Sequence, residues 1–226
     1  MARLVDLSHP IKPHWRWPVE VERVKAHERG DVFQSSVARI SLHAYTHTDA
    51  PVHFLPGGRT HDQTPLDQFI GRAWVVDLTH RGADEGIMAE DLEAKGQRLV
   101  RGDIALLRTD WPLKRSIDSK EFWLDAPFTT RGACEWLVAR GVRTVGYDYP
   151  PDEPLKRRTR EPDFEGAPED NTTHFVFFPA GVYVIEYLAN LHELPTDRPV
   201  RLMGLPLRIV GTDGAPARVI ALVDEG

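Results

Sequence analysis

The chain has 226 residues, 41% hydrophobic and 27% charged, and its 28 Lys and Arg against 34 Asp and Glu give a net charge of −6. This composition is that of a globular protein and excludes a low-complexity or disordered chain. The acidic balance argues against nucleic acid as a partner, and no apolar run approaches the roughly 18 residues that a membrane span needs.

Strands are predicted where β-branched and apolar runs are bounded by Gly, Pro or Asp. In chain order they are Leu4–Leu7, Ser35–Leu42, Trp74–Leu78, Asp103–Thr109, Thr144–Tyr147, Val182–Tyr187, Arg201–Ile209 and Arg218–Val223. Helix-like patterns cover Thr64–Ile70, Met88–Gly96 and Thr129–Gly141. Because helices and strands are interspersed, we expect α/β or mixed α+β layering in one domain that spans residues 1–226.

Residues 150–171 interrupt this pattern, since they are rich in proline and charge and lack hydrophobic periodicity at either 2 or 3.6 residues. We predict an exposed loop here. A long loop within a compact domain is more often a lid or a binding loop than a linker between domains.

The N-terminus has no apolar stretch of a secretory signal, and the single cysteine, Cys134, cannot form an intrachain disulfide. Both features predict a cytoplasmic protein. Cys134 lies in a helix-like apolar stripe, which favours a place in the core over a role as nucleophile. The chain also lacks the GxSxG motif of serine hydrolases.

Three histidines and an aspartate fall within eleven residues, as His43, His47, Asp49 and His53 in the pattern HxxxHxDxxxH. Imidazole and carboxylate are the ligand types expected for zinc, manganese or iron. A single histidine near a strand is usually structural, but this density predicts a metal site.

The backbone around this cluster cannot be regular if the residues share an ion. An extended strand would place His43 and His47 about 13 Å apart. A helix would turn Asp49 about 240° from His43, and Pro51 would interrupt it. We therefore predict a strand that ends near Leu42 and feeds a tight loop around the ion.

A second candidate pair, His174 and Glu186, lies in the C-terminal half. Glu186 interrupts the apolar run Val182–Leu188, and a buried carboxylate needs a cation or hydrogen-bond partners. A metal would satisfy it; the alternative is that Glu186 faces solvent at a strand edge.

These residues resemble a known family. His43–Phe54 resembles the HxGTHxDxPxH signature of the putative cyclase family, which includes bacterial kynurenine formamidases and isatin hydrolases. The resemblance covers nearly the whole chain. The family's opening strand resembles Val5–His9, and its Trp-Pro element, which lines the substrate pocket, resembles Trp17-Pro18. Its second-half motif resembles Gly146–Asp148, His174, Ala180–Glu186 and Asn190-Leu191.

The resemblance implies a role for each matching residue. One divalent metal, zinc or manganese, would be bound by His43, His47 and Asp49, and a second by Asp49, His174 and Glu186, so that a chain holds one or two ions. His53 would be the catalytic histidine, and Trp17 would contact the substrate. The implied fold is a mixed β-sheet with flanking helices in a swivelling ββα arrangement, assembled as a homodimer, homotetramer or other oligomer.

Two features depart from the family pattern. Tyr45 stands where the family usually has Gly, at a tight turn beside the metal ligands. The segment 150–171 is longer and more charged than the corresponding connection in formamidases. Both departures can change the substrate without changing the metal site.

The function predicted first is a metal-dependent hydrolase of a small amide, lactam or lactone, with His53 as general acid and base. An aromatic substrate such as N-formylkynurenine would suit Trp15, Trp17 and Phe54, although each of these can equally be a core residue. One alternative is a cyclase, lyase or isomerase that acts through an enolate. The other is a non-catalytic scaffold that contacts a partner through the charged segment.

Overall fold

A computed structural model describes residues 2–161, 163–164, 167 and 170–224. Its strands are β1 (Ala2–Asp6), β2 (Val19–Lys25), β3 (Ser35–Ile40), β4 (His47–Asp49), β5 (Ile70–Asp77), β6 (Gly86–Ile87), β7 (Ile104–Arg108), β8 (Phe128–Thr129), β9 (Thr144–Tyr147), β10 (Tyr183–Glu186), β11 (Val200–Pro206) and β12 (Gly214–Asp224). Its α-helices are α1 (Ala89–Lys95), α2 (Trp111–Lys114), α3 (Glu121–Leu124), α4 (Arg131–Arg140), α5 (Pro154–Arg160) and α6 (Thr172–Phe177). None of these helices is both long enough and apolar enough to span a membrane.

The main sheet has the strand order β1-β12-β11-β5-β7-β9-β10-β4. Strand β12 also pairs with β4, so seven of these strands close into a barrel-like ring and β1 extends along β12. The central strands β5, β7, β9 and β10 run parallel, whereas the pairs around β4, β11 and β12 are antiparallel. The sheet is therefore mixed, and the predicted α/β class with flanking helices is confirmed. The swivelling ββα arrangement stays a prediction.

Both faces of the central strands are buried. On β7, Ile104 and Leu106 belong to one apolar cluster, and Ala105 and Leu107 belong to a second cluster on the opposite face. A strand buried on both faces reads as a continuous apolar run, which is why the sequence predicted β7 well.

Around the candidate ligands, the sequence prediction was wrong in one respect. A strand ending near Leu42 and then a tight loop were predicted. Strand β3 ends at Ile40, and the predicted loop includes a short strand, β4, formed by His47–Asp49. The predicted helix at Thr64–Ile70 is reduced to a 3₁₀ turn, Leu66–Phe69, that leads directly into β5.

Segment 150–171 contains more structure than the predicted exposed loop. Helix α5 lies within it, and Asp152, Lys156 and Asn171 are buried. Positions 162, 165, 166, 168 and 169 lie outside the described residues, as do positions 1, 225 and 226 of the predicted domain. The role of the segment as a lid stays a prediction.

Candidate metal centre

Strands β4 and β10 bring three buried ligand side chains to one place. His47 and Asp49 are two residues apart on β4, so their side chains point to the same face. The antiparallel pairing with β10 makes Glu186 the register partner of His47. Glu186 is buried here, so the alternative of a solvent-facing position at a strand edge is wrong.

The Asp49 carboxylate lies at the centre of the cluster. Its Oδ1 is 2.8 Å from Nδ1 of His43 and 3.1 Å from Nε2 of His47, and its Oδ2 is 3.1 Å from Nε2 of His174. Glu186 Oε1 is 3.5 Å from His174 Nε2, and its Oε2 is 3.8 Å from His47 Nε2. Ligand atoms about 2.1 Å from a tetrahedral ion are about 3.4 Å from one another. The spacing of these side chains therefore fits a divalent metal.

Charge in the cluster leads to the same conclusion. The Oε1 atom of Glu186 is buried without a hydrogen-bond partner in the described chain. Burial and the nearby charge of Asp49 raise the pKa of Glu186. Burial alone would raise the pKa of Asp49 as well, but His47 and His43 outweigh it and hold this pKa well below its usual range. A cation would satisfy both carboxylates.

Two of the histidines are oriented by partners on their far side. The Nδ1–H of His47 donates to the backbone oxygen of Tyr45 at 2.8 Å, and the Nδ1–H of His174 donates to Asp152 at 2.7 Å. Asp152 is itself fixed by the backbone N–H and hydroxyl of Thr173. Both histidines thus present Nε2 to the cluster, an arrangement typical of metal-bound imidazole.

The pKa of His174 follows from these contacts. Burial alone would lower it, but Asp152 and the other carboxylates outweigh burial and raise it to about 10. Binding of a metal at Nε2 requires the neutral ring, so metal and proton compete for this atom.

The cluster has a buried end and an open end. The side chains of His47 and Asp49 are each 1% exposed, whereas His43 is 24% and His53 is 29% exposed. At the open end Asp213 Oδ2 lies 2.8 Å from Nε2 of His43 and 3.4 Å from Nδ1 of His53, and the two rings stack at 4.1 Å. A substrate would reach the cluster from this end.

The two open-end histidines have opposite pKa shifts. Burial alone would lower the pKa of His43, but Asp49 and Asp213 outweigh it and raise the pKa to about 9. Burial lowers the pKa of His53 to about 4, which keeps its ring neutral at pH 7.

The His43 ring fits at this position because Gly214 has no side chain. A Cβ atom at Gly214 would lie 2.7 Å from the His43 ring.

Among the residues that the structure describes, two groups of three side chains have donor atoms within 4.8 Å of one another. One group is His43, Asp49 and His53, and the other is His47, Asp49 and Glu186. Asp49 belongs to both groups, but neither group is one of the two predicted ligand sets, so the division of the ligands between two ions stays a prediction. The structure thus gathers all six of the predicted metal and catalytic residues, with His174 against the second oxygen of Asp49.

An aromatic wall adjoins the cluster at Trp17. The Trp17 ring contacts those of His14, Tyr45, Trp123 and Tyr187, with centroids 4.6 to 5.8 Å apart. Tyr187 in turn contacts His47 at 5.3 Å, so one ring separates Trp17 from the metal cluster. Of the other predicted pocket residues, Phe54 stacks on His174 at 4.3 Å and Trp15 is exposed.

Two tyrosines beside Trp17 have an uncommon backbone. Tyr45 has a φ of 58° and Tyr187 a φ of 55°, in the left-handed region that glycine adopts most easily. This explains the family preference for Gly at position 45: the turn needs a positive φ. Here the buried Tyr45 ring packs against Trp17 and compensates for the strained backbone.

Sequence reasoning missed four contributors, namely Asp152, Tyr187, Asp213 and Gly214. Asp152 lies in the segment that was predicted to be a loop, and no local pattern links it to His174. The Asp213-Gly214 dipeptide is a turn signal, but a turn signal does not indicate what the carboxylate contacts.

Comparison with known proteins identifies the family of the chain. The sequence model of the putative cyclase family matches residues 5–153. The chain belongs to this family, as predicted. Kynurenine formamidase of Salinibacter ruber (strain DSM 13855 / M31) is 30% identical, over 96% of each chain. Kynurenine formamidase of Erythrobacter litoralis (strain HTCC2594) is 28% identical, over 96% of this chain and 93% of the relative.

Solved structures of the family share the fold over its full length. Isatin hydrolase A from Labrenzia aggregata superimposes with a TM-score of 0.80 at 26% identity, over 99% of this chain and 94% of its own. A potential metal-dependent hydrolase with cyclase activity gives a TM-score of 0.73 at 28% identity, over 100% of both chains. These relatives support the predicted class of metal-dependent hydrolase.

Proposed function

We propose that this chain is a metal-dependent hydrolase of a small carbon–nitrogen amide, and that aryl formamides such as N-formylkynurenine are its first candidate substrates. The observation that carries the proposal is the Asp49 carboxylate, whose two oxygens lie within 3.1 Å of imidazole nitrogens of His43, His47 and His174. The names of the curated relatives support the choice of substrate.

The ligand assignment follows the predicted one. His43, His47 and Asp49 would hold one ion, and Asp49, His174 and Glu186 would hold a second. Zinc is our first choice because imidazole nitrogen and carboxylate oxygen are among its usual ligands, and manganese is the alternative. When bound, a divalent ion provides a water nucleophile of lowered pKa and polarises a carbonyl group.

The residues of the open end would move the proton. The His53 ring is neutral, and no hydrogen bond in the described chain engages its Nε2. This nitrogen can accept a proton from the attacking water and return it to the leaving nitrogen. Asp213, next to Nδ1, would hold the ring in place during both transfers.

The other residues would orient and shield the substrate. Trp17 offers an aromatic face beside the cluster, which suits an aryl group. The buried end, closed by His47, Asp49 and Glu186, excludes bulk water and strengthens the electrostatic interactions inside.

Metal content and hydrolysis should depend together on Asp49. Protein purified without a chelating resin is expected to carry zinc or manganese and to hydrolyse N-formylkynurenine. Asp49→Asn should lose the metal and lower hydrolysis by more than about 100-fold. Mutation of a residue that only hydrogen-bonds to a metal ligand lowers metal affinity or activity by up to about 100-fold, and removal of the ligand itself should lower them by at least as much. Asp67→Asn, which removes an exposed carboxylate from the turn before β5, is the matched control and should change neither quantity.

The His53→Asn variant separates binding from catalysis. It should keep the metal and lose about 100-fold in turnover, the usual size of a proton-transfer contribution. Full activity would exclude His53 from the mechanism.

Labelled water separates hydrolysis from the alternative functions. In ¹⁸O-labelled water a hydrolase places one labelled oxygen in its product. Unlabelled product would favour the alternative that acts through an enolate, and no turnover of any amide would favour the non-catalytic scaffold.

We also propose a homodimer. Strands β2 and β3 pair with each other in a separate two-stranded sheet, and the side chains of Val21 and Val37 on it are exposed. A two-stranded hairpin is marginal in water without a covering surface, and a second copy would supply one. Sedimentation equilibrium tests this, and a monomer at micromolar concentration would contradict it.

We also propose that the protein is cytoplasmic and that its fold has the swivelling ββα form.

A further inference from the structure

Arg16 lies close to the candidate active site but takes no part in the metal cluster. Its guanidinium carbon is 4.3 Å from the ring centroid of Trp123, and its Nη1 donates to Thr159 Oγ1 at 2.9 Å. The Trp123 ring contacts Tyr187 at 5.1 Å, and Tyr187 contacts His47 at 5.3 Å. Arg16 thus lies on the aromatic wall that borders the cluster.

The guanidinium of Arg16 lacks an acidic partner in the part of the chain that the structure describes. Of its five N–H donors, one is used by Thr159. Burial lowers the pKa of this half-buried group, and the interactions with charge come from Tyr187, Arg158 and Glu186. A cation taken out of water without an anion is costly.

A second cation lies near Arg16. Arg158 on α5 lies near enough to lower the pKa of Arg16 by repulsion. Two other cations of α5 have acidic partners, since Lys156 pairs with Asp84 and Arg157 pairs with Glu161. An anion that entered beside Arg16 would be attracted by the Arg16 guanidinium.

We propose that Arg16 binds a carboxylate on the substrate and makes the enzyme select aryl amides that carry this carboxylate over those that lack it. This inference rests on the proposed hydrolase function and names the group that its substrate carries. An arginine fork binds a carboxylate through two parallel hydrogen bonds. The Trp123 ring lies against the guanidinium, and the rings of Trp17 and Tyr187 lie between this anchor and the metal cluster.

The test uses the metal-loaded enzyme and a matched pair of formamides. N-formylkynurenine carries the carboxylate, and its carboxamide derivative keeps the same aryl formamide, chain and ammonium group but has a neutral amide in place of that carboxylate. The wild-type enzyme should prefer the first by about tenfold or more in kcat/KM, the usual size of a charged hydrogen bond. Arg16→Gln should abolish this preference through KM, with kcat changed less than about twofold, because a binding contact remote from the reacting atoms acts on both states alike.

Binding provides a readout that does not need turnover. Calorimetric titration with kynurenine and with kynurenine carboxamide should give a preference of similar size in the wild type and none in Arg16→Gln. Arg16→Lys keeps the charge without the fork and should retain part of the preference, which covers the case that the Gln variant does not fold. Arg39→Gln removes an exposed arginine from β3 and is the control for net charge.

The outcomes separate the two proposals. A wild type that binds both aryl ketones equally overturns the role of Arg16, and so does a preference that survives in Arg16→Gln or disappears in Arg39→Gln. Failure to hydrolyse either formamide, together with an Arg16-dependent preference for kynurenine, contradicts the proposed hydrolase function and leaves the anion site standing.

Discussion

Tyr147 and Tyr149 are two buried phenols in nearly the same surroundings. Both side chains are fully buried, and their rings contact each other at 5.4 Å. The hydroxyl of Tyr149 bonds the hydroxyl of Thr129 at 2.8 Å, whereas the hydroxyl of Tyr147 has no partner in the described chain. A buried hydroxyl without a partner retains its full desolvation cost.

The two Tyr→Phe variants should therefore change stability in opposite directions. Tyr147→Phe should raise the free energy of unfolding by about 1 kcal/mol, because it removes an unpartnered hydroxyl. Tyr149→Phe should lower it by about 1 kcal/mol, because it leaves Thr129 without its partner. Urea unfolding of the three proteins measures both. A loss of stability in Tyr147→Phe would mean that its hydroxyl is satisfied in solution.

At this scale, sequence reasoning identifies residues that carry their own signal. His43, His47 and Asp49 stand out through density and spacing, and Glu186 through its place in an apolar run. Asp152 and Asp213 act through contacts with His174 and His43 that are formed only in the folded chain. Nothing in their local sequence distinguishes them from the other acidic residues of the chain.

Helix α4 is defined at both ends by local chemistry. At its start the Thr130 hydroxyl accepts from the N–H of Ala133. At its end Gly141 has a φ of 74°, and its N–H bonds the oxygens of Leu137 and Val138. Such a left-handed cap strongly favours glycine.

Two glycines of α4 should respond differently to alanine. Gly132→Ala lies within the helix, where a Cβ would meet Ala89 at an ordinary 3.8 Å, and should stabilise the protein by about 0.5–1 kcal/mol. Gly141→Ala should destabilise it by about 1 kcal/mol or more, because alanine resists a positive φ and its Cβ would crowd Arg101. Thermal unfolding tests both, and equal effects would contradict the helix boundaries.

Elements with a strong local pattern were predicted well, and the shortest ones were not. The buried strands β7 and β9 and helix α4 nearly coincide with their predicted ranges. Strands β4, β6 and β8 have two or three residues each, too few for periodicity to show. They form through pairing with distant segments, as β4 does with β10 and β12.

Closure of the ring builds the candidate site. Strand β4 pairs with β10 on one edge and β12 on the other, so Glu186 and Gly214 both meet the strand that carries His47 and Asp49. The site therefore forms only when the N-terminal, central and C-terminal parts of the chain have paired. Sequence spacing can indicate which residues take part but not this closure.

His9 is placed near the start of β4 by the same arrangement. Its backbone N–H donates to the hydroxyl of Thr46 at 2.9 Å, and its ring Nε2 is buried without a partner in the described residues. Burial lowers the pKa of His9 to about 4. Asp118 raises this pKa and Lys12 lowers it, but neither outweighs burial.

This shift predicts how acid weakens the folded protein. In the unfolded chain His9 takes up a proton near its ordinary pKa of about 6.5, whereas in the folded chain it does so only near pH 4. Protonation therefore favours the unfolded chain, and the folded protein loses stability as the pH falls from about 6.5 to about 4. The contribution of His9 to this loss is at most about 3 kcal/mol. His9→Gln should reduce the difference in unfolding free energy between pH 7 and pH 4 by that order, while His192→Gln, at an exposed position, should leave it unchanged. Urea titrations at both pH values measure this difference. An identical acid dependence in His9→Gln would mean that the buried ring does not remain neutral in the folded protein, and that the acid sensitivity comes from other groups.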